Sequence, residues 1–363
     1  MGIPKDTLWE LDPHTKAKHG ILKGYLQAWF PILSKYNRRI VYIDGFCGPG
    51  RYKRGEPGSP IIALDVAINH RRTPTGEVAF WFIDERQDRI DHLSDELEQL
   101  AIPDHFRVSA ECGIFHEKLE QVLNLIERDG AKLAPTFAFI DPFGFSGIPF
   151  SLVQRMLQHR KCETFITFMV DAINRFIEHP QDNVVRHIVD AFGTEEAIEI
   201  AKRPGDRIRA LRTLYQRQLE GEAEFVRYFE MRDRNNRVQY YLFFASNDAT
   251  GHLKMKEAMW KVGQEGEFRF SDGTNPNQIV LFEADTTSPL IALLRVRFVG
   301  NGVVSGREVR QFVEDDTAYL KKHMTAALKH EETEKRIVVE ATKTDGKKRR
   351  RNTYPDESLI TFV

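Results

Sequence analysis

Three apolar segments that each run into an aspartate constrain the fold more than any other feature of the sequence. They are RIVYID (39–44), EVAFWFID (77–84) and TFAFID (136–141). Each is apolar almost throughout, which is typical of parallel strands that are buried on both faces of a sheet. Segments with helical periodicity lie between them, beginning with residues 15–34. We therefore predict an α/β fold with a doubly wound, mostly parallel sheet.

Acidic residues lie where the strands of this sheet end. Two further strands are predicted, one near 106–109, just before Glu111, and one over 163–171. In open α/β sheets, ligands bind in the crevice at the carboxyl ends of the strands. The acids expected at that edge are Asp44, Asp84, Glu111 and Asp141. This edge is therefore the predicted site.

Composition and cysteine usage narrow the classes of protein to consider. The formal net charge is -1, and hydrophobic residues make up 41% of the chain, as is ordinary for a globular protein. The three cysteines form neither a CxxC pair nor a Cys/His cluster, so we expect neither a disulfide framework nor a metal site. A reducing cytoplasm fits this cysteine usage. No segment has the length of a membrane span or the core of a signal peptide, so no membrane association is expected.

The loop DGFCGPG (44–50) follows the first strand and holds three glycines. A turn needs only one glycine, so this loop predicts close approach of another group, such as a nucleoside cofactor, to the backbone; a plain turn is the alternative. Roughly eight residues separate the loop from Ser59, the predicted N-cap of the next helix. That separation disfavours a pyrophosphate, which binds near a helix N-terminus. S-adenosylmethionine carries no phosphate and presents two cationic groups, so the loop with its acid favours this cofactor.

Roles for individual residues follow from that interpretation. Asp44 is expected to attract the cationic methionine end of the cofactor, and Asp84 to accept the ribose hydroxyls. Glu111 either contacts the adenine amine or lies on the surface. The full set of candidate cofactor-binding residues is Asp44, Gly45, Phe46, Gly48, Gly50, Asp84 and Glu111.

The segment FIDPFG supplies the candidate catalytic residues Asp141, Pro142 and Phe143. In methyl transfer to an exocyclic base amine, an acceptor must orient the amine, and an aromatic neighbour can stack on the base. Asp141 and Phe143 are suited to these two tasks. A strand-ending Asp-Pro turn is the alternative interpretation.

Other residues near the predicted site receive more ordinary interpretations. A solvated helix face is favoured for Lys18 and His19, with reach into the pocket mouth as the alternative. Cys47 and Cys112 are expected to be small packing residues. Asn174 and Arg175 follow the fifth strand, and a place in the acceptor pocket is left open for them.

The last part of the chain predicts a second domain. Residues 224–247 form two predicted strands that extend the sheet as a hairpin, and the composition shifts near residue 285. Three predicted helices and a hairpin then follow, which is the order of a winged helix. We place a methyltransferase-like domain at 1–283, with an extension at 175–262, and a winged-helix domain at 284–363. The hairpin is strongly basic, and its candidate nucleic-acid-binding residues are Lys347, Lys348, Arg349, Arg350 and Arg351.

Several segments together resemble the three-Cys-motif partner (TcmP) proteins. They are TKAKHGILKGYLQAWFPIL, YIDGFCGPGRY, GSPIIALDVA, FAFIDPFGF, FMVDAINRF and EAMWKV, and they cover roughly residues 15–262. The resemblance implies a Rossmann-like fold of S-adenosylmethionine-dependent methyltransferases, an accompanying C-terminal winged helix and a possible three-Cys-motif partner protein. The family name refers to cysteines of that partner, so it assigns no role to the cysteines of this chain.

The glycine loop also resembles the Asp-x-Phe-x-Gly-x-Gly pattern of amino-methyltransferases that act on nucleic-acid bases. Their Asp-Pro-Pro-aromatic motif differs from the sequence here, where Phe143 replaces the second proline and Gly144 the aromatic residue. That difference puts adenine in doubt. An Asp-Pro-Phe-Gly version also occurs in tRNA guanine amino-methyltransferases, so guanine stays open.

Three functions are compatible with these observations. The favoured one is a methyltransferase that uses S-adenosylmethionine on DNA or RNA, at an exocyclic amine of adenine or guanine. The second is a non-catalytic protein on the same scaffold that binds nucleic acid or a partner protein, because a fold does not guarantee its chemistry. The third, an NAD-dependent oxidoreductase, is disfavoured by the long segment between the glycine loop and the helix.

Overall fold

The structure is a computed structural model that describes residues 4–72, 74, 76–144, 148–263, 269–271 and 287–363. These residues form two compact units. The first contains residues 4–258 and 269–271, and the second contains residues 259–263 and 287–363. The predicted domain boundary at 283/284 lies outside the described residues.

The first unit alternates strands and helices along most of its length. In chain order its elements are α1 (Pro13–Tyr36), β1 (Arg39–Asp44), α2 (Ser59–Ile68), β2 (Glu77–Asp84), α3 (Gln87–Glu98), β3 (Phe106–Cys112), α4 (Phe115–Arg128), β4 (Thr136–Ile140), α5 (Phe150–Leu157), β5 (Cys162–Phe168), α6 (Val170–Phe176), α7 (Asp182–Phe192), α8 (Glu196–Lys202), α9 (Arg207–Glu220), β6 (Phe225–Arg232), β7 (Val238–Ser246), α10 (Ala249–Val262), whose last residues belong to the second unit, and β8 (Arg269–Ser271).

The strands form one sheet in the order β3-β2-β1-β4-β5-β7-β6-β8. Strands β1 to β5 are parallel, and β7 is antiparallel to both β5 and β6. The predicted hairpin over 224–247 is thereby confirmed as an extension of the sheet. The chain continues from β1 to β2 and β3 on one side and returns to β4 and β5 on the other. The order therefore reverses between β1 and β4, where a doubly wound sheet opens a crevice.

Helices cover both faces of the sheet. Ile43, Ile83 and Ala138 of neighbouring strands belong to one core cluster with residues of α4 to α9. On the opposite face the ring of Tyr25 in α1 packs 5.1 Å from Phe137, measured between ring centroids. Double-sided burial explains why the parallel strands are apolar at nearly every position.

Several predicted boundaries shift for identifiable reasons. Helix α1 begins at Pro13 because the Asp12 carboxylate accepts a hydrogen bond from the Thr15 N–H and caps the helix. Gly58, rather than Ser59, is the N-cap of α2. Strand β5 ends at Phe168, earlier than the predicted residue 171, since the chain turns into α6. Glu111 lies within β3 rather than after it.

The second unit packs helices against a small antiparallel sheet. Its elements are α11 (Thr287–Phe298), β9 (Val303–Ser305), α12 (Gly306–Gln311), a π-helical turn (Phe312–Asp316), α13 (Lys321–Thr333), β10 (Ile337–Val339) and β11 (Leu359–Phe362). The sheet order is β10-β11-β9. Strand β9 was not predicted from the sequence, because it has only three residues. The predicted hairpin is present as β10 and β11. The basic segment, residues 347–351, lies between these two strands.

A buried carboxylate ties the second unit together. Glu331 on α13 is fully buried, and its oxygens accept hydrogen bonds from Arg295 of α11 and from Arg336. Two arginines thus compensate one buried charge and join two helices to the start of the sheet. No helix among the described residues combines the length and the apolar character that a membrane span requires.

Candidate functional site

A cavity of about 270 Å³ opens at the carboxyl ends of β1 and β4. Its walls come from the amino-terminal segment, from α1, from the loops after β1 and β4, and from the ends of β5 and β7. The lining includes Phe46, Gly48, Gly50, Asp141 and Phe143 from the predicted set. The structure therefore brings the glycine loop and the FIDPFG segment together at one site.

The loop after β1 is hydrogen-bonded to the strands on both sides. The Gly45 N–H donates to the Phe139 carbonyl of β4, and the Cys47 N–H donates to the Ile83 carbonyl of β2. The Gly48 N–H donates to the Asp84 carboxylate at 3.1 Å. These bonds fix the loop as a continuation of the sheet, so that its position does not depend on a ligand.

Side chains of the protein itself crowd the glycines of this loop. A Cβ on Gly45 would lie 2.6 Å from the ring of Phe115. Gly48 and Gly50 have positive φ, and a Cβ on Gly50 would lie 2.8 Å from the Leu93 side chain. The close approach predicted from three glycines is thus made at least in part by neighbouring side chains.

The segment between Gly50 and α2 folds back on itself. The Gly58 N–H donates to the Gly50 carbonyl at 2.7 Å, and Arg51 and Pro57 form an antiparallel bridge. The N-terminus of α2 therefore lies beside the glycine loop, and Gly58 and Ser59 line the cavity. The prediction that α2 begins away from the glycine loop was wrong, because the intervening residues fold back and return the chain to Gly50.

Asp44 lies behind the cavity wall rather than on it. Its side chain is fully buried, bonds the Ser59 side chain, and lies 3.4 Å from the Phe46 N–H. Burial raises the pKa of Asp44 to about 7, against the opposing effect of the Ser59 bond. The groups that contact it among the described residues are neutral, so a cation reaching this carboxylate would favour its ionised form.

The Asp84 carboxylate is engaged by protein groups. It accepts hydrogen bonds from the backbone N–H groups of Gly48 and Arg86, and it pairs with the buried guanidinium of Arg89 at 3.4 Å. Asp84 does not line the cavity. The carboxylate predicted to hold a ribose is therefore at the expected strand end, but it is paired with Arg89 and is not part of the cavity lining.

The amino-terminal segment, residues 4–12, contributes Pro4, Trp9 and Asp12 to the cavity wall. Its Pro4 carbonyl accepts a hydrogen bond from Arg89 at 3.0 Å. Its Trp9 ring packs edge-on against Phe143 with 5.8 Å between centroids, and the Arg89 guanidinium lies 4.9 Å from the Trp9 ring centroid. Arg89 thus joins Asp84, the amino-terminal segment and Phe143 in one cluster.

Asp141 lies in the cavity wall and pairs with Lys18 of α1. The Lys18 ammonium is 2.6 Å from one carboxylate oxygen and 2.5 Å from the other. Burial, with Lys18 adding to it, lowers the pKa of His19 to about 4, so this histidine is neutral at pH 7. The prediction of a solvated face for Lys18 and His19 was wrong, since both are buried and both line the cavity.

Other candidate residues lie away from the cavity. The Glu111 carboxylate accepts hydrogen bonds from Trp81, Ser109 and Lys118 near the protein surface, which agrees with the surface alternative. Arg175 is exposed and paired with Asp171, and neither it nor Asn174 lines the cavity. Cys47 is buried and lines the cavity, while Cys112 does not.

The basic segment of the second unit is only partly available to a partner. Arg349 turns inward, where its guanidinium bonds Glu332 and the Thr353 carbonyl. Its predicted place among the nucleic-acid-binding residues therefore does not fit the structure. Lys347, Lys348, Arg350 and Arg351 are exposed, and Lys347 lies 3.8 Å from Asp345.

Sequence reasoning missed the contributions of Trp9, Arg89 and Tyr240 to this site. For Lys18 a signal was present, because it is three, four and seven residues from Ile21, Leu22 and Tyr25 and so shares their buried face. Arg89 gave no such signal, since a charged side chain in an amphipathic helix ordinarily faces water.

Comparisons with known proteins give a distant likeness to methyltransferases. No protein-family model matches the chain, and no curated protein sequence matches it. Among solved structures, human methyltransferase-like protein 13 in complex with SAH has a TM-score of 0.37 and 8% identity, over 73% of this chain and 97% of that one. The plantazolicin methyltransferase BpumL in complex with SAH has a TM-score of 0.28 and 12% identity, over 64% and 86%.

Substitution of two glycines by alanine should separate packing from backbone strain. Gly50 and Gly55 both have positive φ, but a Cβ on Gly55 would meet nothing within 4 Å. Gly55→Ala should cost about 1–2 kcal/mol of unfolding free energy through the left-handed backbone alone. Gly50→Ala should cost about 1–3 kcal/mol more, because Leu93 is fully buried and cannot turn away. Urea unfolding measures both, and equal losses would contradict the packing argument.

The pH dependence of stability should report Asp44. Its pKa is raised to about 7 in the folded chain, whereas the carboxyl of the unfolded chain loses its proton near pH 4. Between about pH 4 and pH 7 the folded state therefore binds a proton that the unfolded state has released. The unfolding free energy should therefore fall by as much as a few kcal/mol as the pH rises from 4 to 7. Glu163, whose pKa burial also raises to about 7, contributes in the same direction. Asp44→Asn should make the decline shallower in urea titrations at several pH values, and an unchanged slope would contradict this assignment.

Proposed function

We propose that this protein is an S-adenosylmethionine-dependent methyltransferase of the TcmP type that modifies an exocyclic amine of a nucleic-acid base. The observation that carries the proposal is the meeting of two segments at one cavity. The glycine loop after β1 and Asp141-Pro142-Phe143 after β4 line the same space, at the reversal point of the strand order. Ligand sites of doubly wound folds lie at such a point.

The residues around the glycine loop fit the amino-acid end of the cofactor. The N-terminus of α2 at Gly58 and Ser59 suits a carboxylate, because the first N–H groups of a helix attract anions. The Asp44 carboxylate, one layer behind Ser59, suits an ammonium group. A zwitterion satisfies both, whereas the pyrophosphate of NAD would bring two negative charges toward Asp44 and Asp141.

The nucleoside end requires an exchange of partners at Asp84. Its carboxylate is at the end of β2, next to β1, where the ribose hydroxyls of the cofactor would be accepted. In the structure the Arg89 guanidinium pairs with that carboxylate at 3.4 to 3.5 Å, which is long for an ion pair. Ribose hydroxyls would replace Arg89, with the Gly48 and Arg86 N–H bonds to Asp84 kept.

Asp141 and Phe143 would position the methyl acceptor. When bound, S-adenosylmethionine supplies a methyl group on a positively charged sulfur. Asp141 would accept a hydrogen bond from the amine, which directs the nitrogen lone pair, and would take the proton that the amine gives up after transfer. Phe143, which lines the cavity, offers a ring against which a base can stack. Placement accounts for most of the catalysis in this scheme.

A nucleic-acid partner is supported by the exposed surface of the second unit. Helix, strand, two helices and two strands follow one another in this unit, which we interpret as a winged helix. Helix α13 presents Lys322, Thr325, Ala326 and Lys329 along one face. Small and cationic side chains on one helix face suit the groove and the phosphates of a duplex.

Acidic residues of α13 do not cancel this charge. Glu331 is buried between Arg295 and Arg336, and Glu332 bonds Arg349 and Tyr354. Both carboxylates turn inward, so neither offsets the exposed lysines of the helix. The exposed face of α13 and the exposed cations of the basic segment are therefore positive together.

A non-catalytic protein on the same scaffold is the second candidate. The engagement of Asp84 by Arg89 and of Asp141 by Lys18 favours it, since both carboxylates already have cationic partners. Calorimetry with S-adenosylmethionine and with SAH distinguishes the candidates. Absence of binding by both would favour the non-catalytic protein.

Replacement of Asp141 should separate transfer from cofactor binding. Asp141→Asn keeps the shape of the side chain but removes its charge and one acceptor. Tritium transfer from labelled S-adenosylmethionine to bacterial DNA or total RNA should fall at least about 100-fold, as for loss of a positioned proton acceptor. SAH affinity should change little, because Asp44 and Asp84 are intact. Transfer at the wild-type rate would remove Asp141 from the mechanism.

The salt dependence of nucleic-acid binding should locate the basic surface. Replacement of Lys348 and Arg350 by serine should weaken binding to any duplex and reduce the slope of log K against log salt by about 1–2. Lys23→Ser, an exposed cation of α1 in the first unit, is the matched control and should leave the slope unchanged. Fluorescence anisotropy at several salt concentrations measures the slope. Equal slopes for both variants would exclude this segment as the phosphate-binding surface.

A further inference from the structure

Lys18 and Asp141 form a charged pair that faces the cavity. Both line it, and the exposed fractions of their side chains are 6% and 20%. The ammonium bonds both oxygens of the carboxylate, at 2.6 and 2.5 Å. The pair therefore presents a donor and an acceptor side by side, on two rigid elements: α1 and the end of β4.

Both members of the pair retain bonding capacity. A carboxylate can accept about four hydrogen bonds, and an ammonium can donate three. Among the described residues, the Asp141 carboxylate accepts hydrogen bonds from Lys18. The Lys18 ammonium uses two of its three N–H groups to donate them. A ligand can therefore form a hydrogen bond to each member while the two charges stay paired with each other.

Neighbouring charged groups in the wall are committed elsewhere. The Arg51 guanidinium bonds Glu96 and the Gly55 carbonyl, and the Asp12 carboxylate bonds the backbone and hydroxyl of Thr15. His19 is neutral at pH 7 and carries no charge into the site. Among the described lining residues, the Lys18–Asp141 pair is the place where a cationic donor and an anionic acceptor lie side by side.

We infer that Lys18 and Asp141 together recognise the amidine edge of the target base, an exocyclic amine beside a ring nitrogen that accepts a hydrogen bond. This edge occurs in adenine (N6 and N1), cytosine (N4 and N3) and guanine (N2 and N3). Asp141 accepts from the amine, and Lys18 donates to the ring nitrogen. The inference rests on the proposed function, which selects a base with an amine; it adds a specificity-determining residue and the atom that this residue contacts.

The geometry also gives Lys18 a positioning role toward Asp141. Before a base arrives, the ammonium holds both carboxylate oxygens in one orientation and keeps a half-buried charge paired. When the base arrives, a third hydrogen bond of the ammonium is directed to the ring nitrogen, and the base lies with its amine at Asp141. A base that lacks the ring nitrogen would leave this N–H of the ammonium without its partner.

The test uses bases from which only the ring nitrogen is removed. Wild-type protein saturated with SAH is titrated by ligand-observed NMR with 9-methyladenine and 9-methyl-1-deazaadenine. The same titration is made with 1-methylcytosine and its 3-deaza analogue, and with 9-methylguanine and its 3-deaza analogue. At least one natural base should bind 10-fold or more tightly than its deaza partner. Equal affinity within every pair, or no binding of any base, would overturn the inference.

Variants connect this preference to Lys18. Lys18→Met should bring the ratio between base and deaza analogue close to 1, whereas Lys18→Arg, which keeps a cationic donor, should retain part of the preference. If Lys18→Met fails to fold with Asp141 left unpaired, the neutral double variant Lys18→Met/Asp141→Asn takes its place. A preference that survives in the neutral variant would overturn the assignment to Lys18.

Failure of this inference and failure of the proposed function give different results. A protein that binds SAH and transfers methyl groups, but binds every natural base and its deaza analogue equally, contradicts only the inference. A protein that does not bind SAH in a separate titration but prefers a natural base contradicts the cofactor assignment and supports the base recognition by Lys18 and Asp141.

Discussion

The hydrogen bonds that hold the loop after β1 between β2 and β4 are the constraint on which the site depends. Gly45 bonds Phe139 of β4, and Cys47 bonds Ile83 of β2. The loop is thereby part of the sheet, and the cavity beside it has one wall of fixed backbone. The fold-back at Gly58 then brings the N-terminus of α2 to the same place, and Asp141, Pro142 and Phe143 after β4 line the same cavity. This backbone wall is preorganised before any ligand binds.

Three carboxylates lie at neighbouring strand ends, where burial and mutual repulsion disfavour their charged forms. A different arrangement compensates each of them. Asp44 is buried among neutral groups, and burial raises its pKa to about 7. Asp84 pairs with a buried arginine, and Asp141 with a buried lysine. The first two arrangements leave room for a cationic or hydroxyl-bearing ligand, because a proton or a guanidinium can be exchanged at less cost than a carboxylate can be buried alone. At Asp141 the lysine remains in place, and each member of the pair keeps capacity for a bond to a ligand.

Much of the sheet could be predicted from the sequence, because strands buried on both faces are apolar without interruption; β2 agrees at both ends. The cavity residues Gly48, Gly50, Asp141 and Phe143 were predicted from strand ends and glycine spacing. Contacts between residues far apart in the chain could not be predicted, and these include Lys18 with Asp141, and Arg89 with Pro4. The inward turn of Glu331 and Glu332 likewise depends on arginines of other elements. Local patterns report faces of helices and strands, whereas these pairings depend on how the elements pack.

The contacts of Arg89 couple the amino-terminal segment to the carboxyl end of β2. One guanidinium contacts the carboxylate at the tip of β2 and also the Pro4 carbonyl and the Trp9 ring. A ligand that competes for that carboxylate also competes with the contacts that hold residues 4–12 in place. Binding of a ligand at the carboxyl end of β2 and the ordering of the amino-terminal segment are therefore thermodynamically linked, so that a measurement of one reports on the other.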